Sequence, residues 1–504
     1  MKRYIRRAMT MGIVSAVLAL SGCGERTGRD PGEISVGNQH MEASVHDPSI
    51  VKDGEQYYVF GTHMTEAVSE DLIHWQMKAS GVTEDNPLFT DLFHEKDGAY
   101  AYVGKYQDGK YAFWAPDVIY NETMEKWTMY FSVTKDYRTS GICMATSDDI
   151  EGPYTFQARL VESGFDAFNV EQSNFYDVCG TDAKITKYQM LARYNNYKYP
   201  NCIDPCVFYD KRGDLYIVYG SWSGGIWLLE LDPATGLPVH PETNDEENID
   251  VYFGQYLLGG LHNACEGPYI MYDAVTEYYY LFVSYGVLNR EGGYQVRLFR
   301  SREVTGPYVD TQGQTLGYVK DPENYGLKMM GNYDFPSLDT AYMALGHNSA
   351  FQDDDGRYYI LYHQRMDNGT DDYELRVHQM FLNEEGWFVT APFATMGEKL
   401  REKGYRSLRK LAGTYYTVEH GRDISSEIHE AEAWKFSPDG TVETADGREG
   451  TWDITKNTCY ITMTLQDHIY KGVIIEMQDE AGNDVRCLAM AGDNNETIWA
   501  VLYK

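Results

Sequence analysis

The sequence predicts an all-β protein, a five-bladed β-propeller followed by a small C-terminal β-barrel domain. Three observations carry that prediction. A strand start, a turn and an aromatic strand recur five times at irregular intervals of roughly 60–90 residues, as expected when equivalent strands of a radial array meet at one axis. No window holds a sustained helical period. The composition changes at residues 398–410, and the stretch that follows keeps its own strand–turn rhythm, with enough chain for a small barrel.

Taken in chain order, residues 1–22 read as a lipoprotein signal peptide. A basic start precedes the apolar run Ala8 to Leu20, which is shorter than the roughly 20 residues a membrane span needs. Leu20-Ser21-Gly22-Cys23 resembles the bacterial lipobox, which implies cleavage before Cys23 and a lipid on its sulfur. The protein is therefore expected to be exported, as a cell-envelope lipoprotein on the extracellular face, touching the membrane only through that anchor. The polar residues 23–42 read as a tether.

Residues 43–397 are assigned to the propeller. Its five copies start at His46-Asp47-Pro48, Trp114-Ala115-Pro116-Asp117, Ile203-Asp204-Pro205, Glu266-Gly267-Pro268 and Gly346-His347-Asn348. Each leads to an aromatic strand such as Tyr57-Tyr58-Val59-Phe60 or Tyr278-Tyr279-Tyr280-Leu281-Phe282. Asp53-Gly54, Arg212-Gly213 and Asp355-Gly356 lie between paired strands, where a tight hairpin needs residues that tolerate positive φ. Ser69–Trp75, Ser147–Tyr154 and Ser301–Tyr308 echo one another and read as outer strands of blades. Residues 398–410 form a charged linker and 411–504 the barrel.

The formal charge is −33, with Lys2, Arg3, Arg6 and Arg7 all inside the signal, so the remainder is more acidic still. Such a surface repels phosphate backbones, anionic lipids and anionic polysaccharides, leaving a neutral substrate and no nucleic acid. The 43 tyrosines and 9 tryptophans suit both β packing and sugar stacking. Seven cysteines beyond Cys23 leave at least one unpaired, and Cys202 and Cys206, four apart around Asp204, are expected to pack as small hydrophobes.

If the strand starts converge, Asp47, Asp204, Glu266 and His347 share one pocket. Glycosidic hydrolysis needs a proton donor for the leaving oxygen and a carboxylate to activate water or attack. A third carboxylate nearby can raise the donor's pKa and keep it protonated. Two Asp and one Glu in the repeat meet that need.

Together the five motifs resemble glycoside hydrolase family 43, and within it the longer bacterial endo-α-1,5-L-arabinanases that carry a C-terminal barrel. By that resemblance Asp47 is the general base, Glu266 the general acid, and Asp204 the residue that tunes and orients the acid. It implies single displacement with inversion, on arabinan or arabino-oligosaccharides. His347 matches the histidine that holds a mostly water-coordinated Ca2+ at the propeller axis; from the residue alone, a hydrogen-bonded histidine is the simpler reading. His46, Trp114 and Trp222 are candidates for substrate contact. The glycines around Trp222 suit either a close approach of substrate or a β-bulge, and His363 and Arg365 either reach the pocket or pair at the surface. A monomer is expected. An exo-acting α-L-arabinofuranosidase or β-xylosidase would use the same carboxylates, and a non-catalytic carbohydrate-binding surface lipoprotein is the reading from another class.

Overall fold

The computed structural model describes residues 34–93 and 97–504. The signal peptide and Cys23 lie outside the described residues. Five antiparallel sheets follow in chain order, each with its first strand innermost. Blade 1 comprises Ser49–Asp53, Gln56–Gly61, Thr65–Ser69 and Gln76–Ala79; blade 2, Phe113–Asn121, Lys126–Thr134, Ser140–Ser147 and Thr155–Ser163. Blade 3 has Cys206–Tyr209, Leu215–Tyr219, Ile226–Leu231 and Gly254–Leu258, with two short additions; blade 4 has Cys265–Asp273, Tyr278–Tyr285, Gln295–Ser301 and Leu327–Met330. Blade 5 has Tyr342–Gln352, Tyr358–Met366, Glu374–Leu382 and Phe388–Thr390.

Second strands are buried along nearly their whole length, Tyr278–Tyr285 and Tyr358–Met366 among them. Both faces of a central blade strand meet a neighbouring blade, so these strands read as unbroken aromatic and aliphatic runs. Barrel strands differ. Glu432–Phe436 and Tyr460–Leu465 alternate buried positions with exposed or half-buried ones because one face is turned toward water. The eight barrel strands close on themselves, Gly413–Glu419 pairing with Thr497–Tyr503.

The propeller ring is closed without a shared blade. Blade 1 meets blade 5 through an apolar seam containing Ile50, Tyr57, Val59, Tyr359, Leu361 and Val377. At its edge Lys52 Nζ and Tyr57 OH donate to Asp353 at 2.6 and 2.7 Å. The barrel is fused to the propeller by a common core that includes Tyr333, Tyr342, Val418, Val485 and Trp499. Its His429–Glu430 strand also extends the blade 5 sheet.

Two assignments change. Residues 34–42, given to the tether on composition, are docked: Asn483 Nδ2 donates to the Ser35 carbonyl, Gln39 N–H to Glu480, and Met41 is buried. Polar composition is compatible with order when partners elsewhere satisfy the backbone. The Ser69, Ser147 and Ser301 echoes are turns rather than outer strands. Each serine ends a third strand and its Oγ accepts a backbone N–H two or three residues on, from Leu72, Asp149 and Glu303 respectively. All seven described cysteines are unpaired and six are buried, and Cys206 Sγ accepts the Ile270 N–H.

Candidate active site

The five strand starts do converge. Asp47, Ala115, Asp204, Gly267 and His347 all have φ between 42° and 59°, and together with the residues after them they line one axial cavity of about 20 Å³. In four of the five, proline follows. Left-handed backbone is costly for a residue with a Cβ, and its repetition marks a device: it turns the chain sharply as it enters each innermost strand. The pairing register slips at this point in blades 2, 4 and 5.

The two Asp and one Glu of the repeat, expected at equivalent strand starts, do not share one slot. Asp47 and Asp204 occupy the left-handed slot, whereas in blade 4 Gly267 occupies it and Glu266 stands one residue earlier, level with His46, Trp114, Ile203 and Gly346. Since successive residues of a strand point oppositely, Glu266 is offered from a different tier. A strand start conforms to the slot by its backbone angle, which residue type alone does not reveal.

Asp47 is buried beneath imidazoles. His46 Nδ1 and His347 Nδ1 stand 2.8 and 3.0 Å from its Oδ1, and Thr62 Oγ1 donates to Oδ2 at 2.5 Å. Thr62 is itself fixed, accepting the Ala115 N–H of the next blade at 2.8 Å. Burial pushes the Asp47 pKa up, but His347 and then His46 outweigh it and hold the carboxylate well below its usual range. His363 lies 3.6 Å from Oδ1 without pairing to it: its Nδ1 accepts the Asp47 N–H at 3.3 Å, and burial drives its pKa well down, so it is neutral.

Glu266 and Asp204 are arranged the opposite way. Burial raises both, and the charge of Glu266 raises Asp204 further, to well above the usual value; Asp47 adds to both. Two neighbouring buried carboxyls cannot both ionise cheaply, so the pair retains a proton. Glu266 is held at both oxygens. Trp222 Nε1 and Ser221 Oγ donate to Oε2 at 2.8 and 3.1 Å, and Tyr294 OH to Oε1 at 2.8 Å. Asp204 accepts the Gly267 N–H at 3.3 Å and donates its own N–H to Ser132.

Above the axis opens a cleft of about 790 Å³ onto which Asp47, Asp204, Glu266, His46, Trp114, Trp222 and His347 all face. One cavity therefore joins a carboxylate kept ionised to a carboxyl pair that retains a proton, the division of labour that general acid–base hydrolysis requires. Trp114 meets Tyr106 edge-on at 5.5 Å, and with Tyr137 these rings form an aromatic wall. Trp222, expected only as a sugar contact, also grips Glu266. The glycines beside it serve the protein: a Cβ on Gly224 would fall 2.4 Å from the Lys198–Tyr199 backbone, and the pairing register slips between Ile226 and Trp227. His363 is buried against Asp47, while Arg365, itself buried, reaches outward with Nε 3.7 Å from the exposed Asp371 carboxylate. Thr62, Ser221, Tyr294 and Tyr373, the last lining the cleft edge-on to His46 at 4.8 Å, are not marked in the sequence, and nothing in a lone Thr, Ser or Tyr would single them out.

The residues present fit the ion that the resemblance implies. His347 engages Asp47 through Nδ1, leaving Nε2 uncommitted, and the neighbouring Asn348 lines the axial cavity with both amide atoms buried and unpartnered. One imidazole nitrogen, one amide oxygen and water make a sparse, hard-cation set. His46, Asp47 and His363 also cluster closely, but His363 Nδ1 takes the Asp47 N–H and the Asp47 carboxylate is met by His46, His347 and Thr62.

Residues 37–198 and 171–388 match the glycosyl hydrolases family 43, and residues 392–500 match its C-terminal lipocalin-like domain. The chain is 38% identical to an extracellular endo-α-(1→5)-L-arabinanase of Thermotoga petrophila over 86% of this chain and 88% of that protein. It is 35% identical to extracellular endo-α-(1→5)-L-arabinanase 2 of Bacillus subtilis over 91% and 92%. The crystal structure of an endo-1,5-α-L-arabinanase from Thermotoga petrophila superposes with a TM-score of 0.79 at 35% identity, covering 93% of this chain and all of that one.

Proposed function

The chain belongs to glycosyl hydrolases family 43 and is a glycosidase, and on that premise we infer that it cleaves internal α-1,5-L-arabinofuranosidic bonds of arabinan with inversion of configuration. The observation that carries the roles is the opposed electrostatics within one cleft. Asp47, kept ionised by His347 and His46, takes a proton from water as the water oxygen bonds to the anomeric carbon. Glu266, kept protonated by burial, gives its proton to the departing glycosidic oxygen. Asp204, the carboxyl beside Glu266, is assigned to tune that acid, as the family resemblance implies, and by accepting the Gly267 N–H it fixes the strand start that bears Glu266. The aromatic wall of Trp114, Tyr106 and Tyr137 supplies sugar faces with a stacking surface.

Glu266→Gln tests this. Hydrolysis of linear arabinan should fall at least roughly a thousandfold while the thermal midpoint holds, since loss of general acid catalysis alone accounts for factors of that order. Unchanged activity would remove Glu266 from the acid role. The wild type should release a ladder of short oligomers whose new reducing ends carry inverted configuration by NMR; arabinose alone would favour exo action.

The chain is exported, as are the extracellular relatives it resembles, and we place a lipid on Cys23. Mass spectrometry of the membrane fraction checks it, and an unmodified soluble chain would refute it. We also assign Ca2+ to His347 and Asn348, where it would supply a fixed positive charge close to Asp47. Chelation should lower kcat on arabinan; full activity in the demetallated protein would remove the ion from the reaction.

A further inference from the structure

Tyr294 is fully buried and does not line the cleft, yet its hydroxyl lies 2.8 Å from Glu266 Oε1. The other oxygen, Oε2, faces Trp222 Nε1 and Ser221 Oγ, both from residues that do line the cleft. The two oxygens are therefore unequal: Oε1 looks into the protein and Oε2 toward the substrate. Resting on the reading of Glu266 as the acid, we propose that Tyr294 is a positioning residue that donates to Oε1 and so places the transferable proton on Oε2.

The chemistry follows from what each partner can do. An indole N–H only donates, so Trp222 cannot turn to accept from a protonated Oε2, although Oε2 can carry a proton on one side and accept from Trp222 on the other. A phenol can do either. If the proton sat on Oε1 it would point at Tyr294, away from the glycosidic oxygen, and be lost to the reaction. A Tyr294 O–H directed at Oε1 removes that state. Glu266 Oε1 is the one hydrogen-bond partner found for the Tyr294 hydroxyl among the described residues, so this buried phenol, whose pKa burial and then Glu266 raise well above the ordinary value, keeps its hydrogen and aims it at Oε1. During cleavage the Oε2–H bond breaks and its proton goes to the leaving oxygen. The C–O bond electrons go to that oxygen, and the water oxygen, relieved of a proton by Asp47, bonds to the anomeric carbon. Glu266 is left as a carboxylate with Tyr294 on Oε1 and Trp222 on Oε2.

The ring is held for this task. A Cβ on Gly346 would come within 2.5 Å of Tyr294 Cδ1 and Cε1, so only glycine lets the ring lie there. Its other neighbour is His363, stacked at 5.6 Å and 21°, which in turn stacks on His46 at 3.8 Å. The aromatic column thus joins the group on Glu266 to the groups on Asp47, and fixes the acid and base relative to one another.

Tyr294→Phe in the full-length protein, assayed on linear arabinan and on an arabino-oligosaccharide nitrophenyl glycoside, tests the proposal. The nitrophenolate leaves without protonation. On arabinan, kcat should fall roughly 10–100-fold, the range for losing a hydrogen bond to a charged group. KM should stay within about threefold, and the nitrophenyl substrate should lose less than about threefold. Equal losses on both substrates, or no loss on arabinan, overturn the proposal. Glu266→Gln measured alongside separates the two readings. If it recovers on the nitrophenyl substrate and Tyr294→Phe does not, only the role of Tyr294 falls; if Glu266→Gln loses equally on both, the acid assignment falls and this proposal with it. Should Tyr294→Phe misfold, 3-fluorotyrosine at 294 keeps the ring and alters only the donor: kcat on arabinan should then change while the nitrophenyl rate does not, and an unchanged kcat on arabinan refutes the role.

Discussion

Asp47 and Asp204 are buried and Glu266 is half-buried, yet Asp47 and the Glu266–Asp204 pair are driven in opposite directions, and the cause is what stands beside each. Burial raises every one of them; only Asp47 has imidazole nitrogens at 2.8 and 3.0 Å to reverse the sign. The rate profile should follow. Asp47 must be ionised, so activity is lost as pH falls through its depressed pKa; Glu266 must be protonated, so activity is lost as pH rises through its raised pKa. Asp204→Asn removes the neighbouring carboxyl and should move the alkaline limb of kcat/KM to lower pH while leaving the acid limb in place. An unmoved alkaline limb would mean that Asp204 does not tune Glu266. Sequence made these three carboxylates legible because each is announced by its neighbours. It could not rank their pKa values, which depend on His347 and Glu266, far away along the chain.

At the level of elements, the left-handed entry to each innermost strand is the recurring device. It presents Asp47 and Asp204 at the axis and leaves Glu266 one residue upstream, beside a glycine that lets the strand pass the His347 ring: a Cβ on Gly267 would lie 3.1 Å from it. Strands also carry costs unrelated to chemistry. Glu66, in the third strand of blade 1, is buried with Oε1 unpartnered, and burial, with Glu151 adding, pushes its pKa up to about 8. The folded state therefore holds a proton that the unfolded chain releases near pH 4.5. That contribution to stability is complete below pH 4.5 and is lost as pH rises through about 8. Glu66→Gln should flatten the decline of the thermal midpoint between pH 5 and pH 8; equal slopes in both proteins would show that Glu66 is ionised in the fold. In the sequence Thr65-Glu66-Ala67-Val68-Ser69 gives Glu66 the look of an exposed position, although the whole strand is buried.

The whole molecule is a ring and a barrel locked by a buried ion pair. Arg376 of blade 5 and Glu480 of the barrel are each 0% exposed, 3.4 Å apart, with Tyr342 OH donating to Glu480 and the Gln39 N–H completing the set. Removing one partner strands the other charge away from water. Glu480→Ala should cost about 3–5 kcal/mol, read as a lowered urea midpoint, whereas Arg376→Met with Glu480→Met should recover most of that loss. A cost below about 1 kcal/mol, the level of an exposed pair, would show that water reaches the site.

The sequence by itself determined the number of blades, the barrel, the family resemblance and the residues Asp47, Asp204, Glu266 and His347. All of these are written in local signals: hairpin turns, aromatic strands, and Asp-Pro or Gly-Pro at strand starts, each set by backbone preferences a few residues long. Only the tertiary structure decided that Glu266 stands a tier away from the two aspartates, that Trp222 and Tyr294 hold its two oxygens, that Thr62 aims Asp47, and that residues 34–42 are docked. Tyr294 reaches Glu266 between separate strands of blade 4, and His363 of blade 5 reaches Asp47 at the entry to blade 1 only when the ring closes. Distances of that kind follow from packing, which no short stretch of sequence encodes.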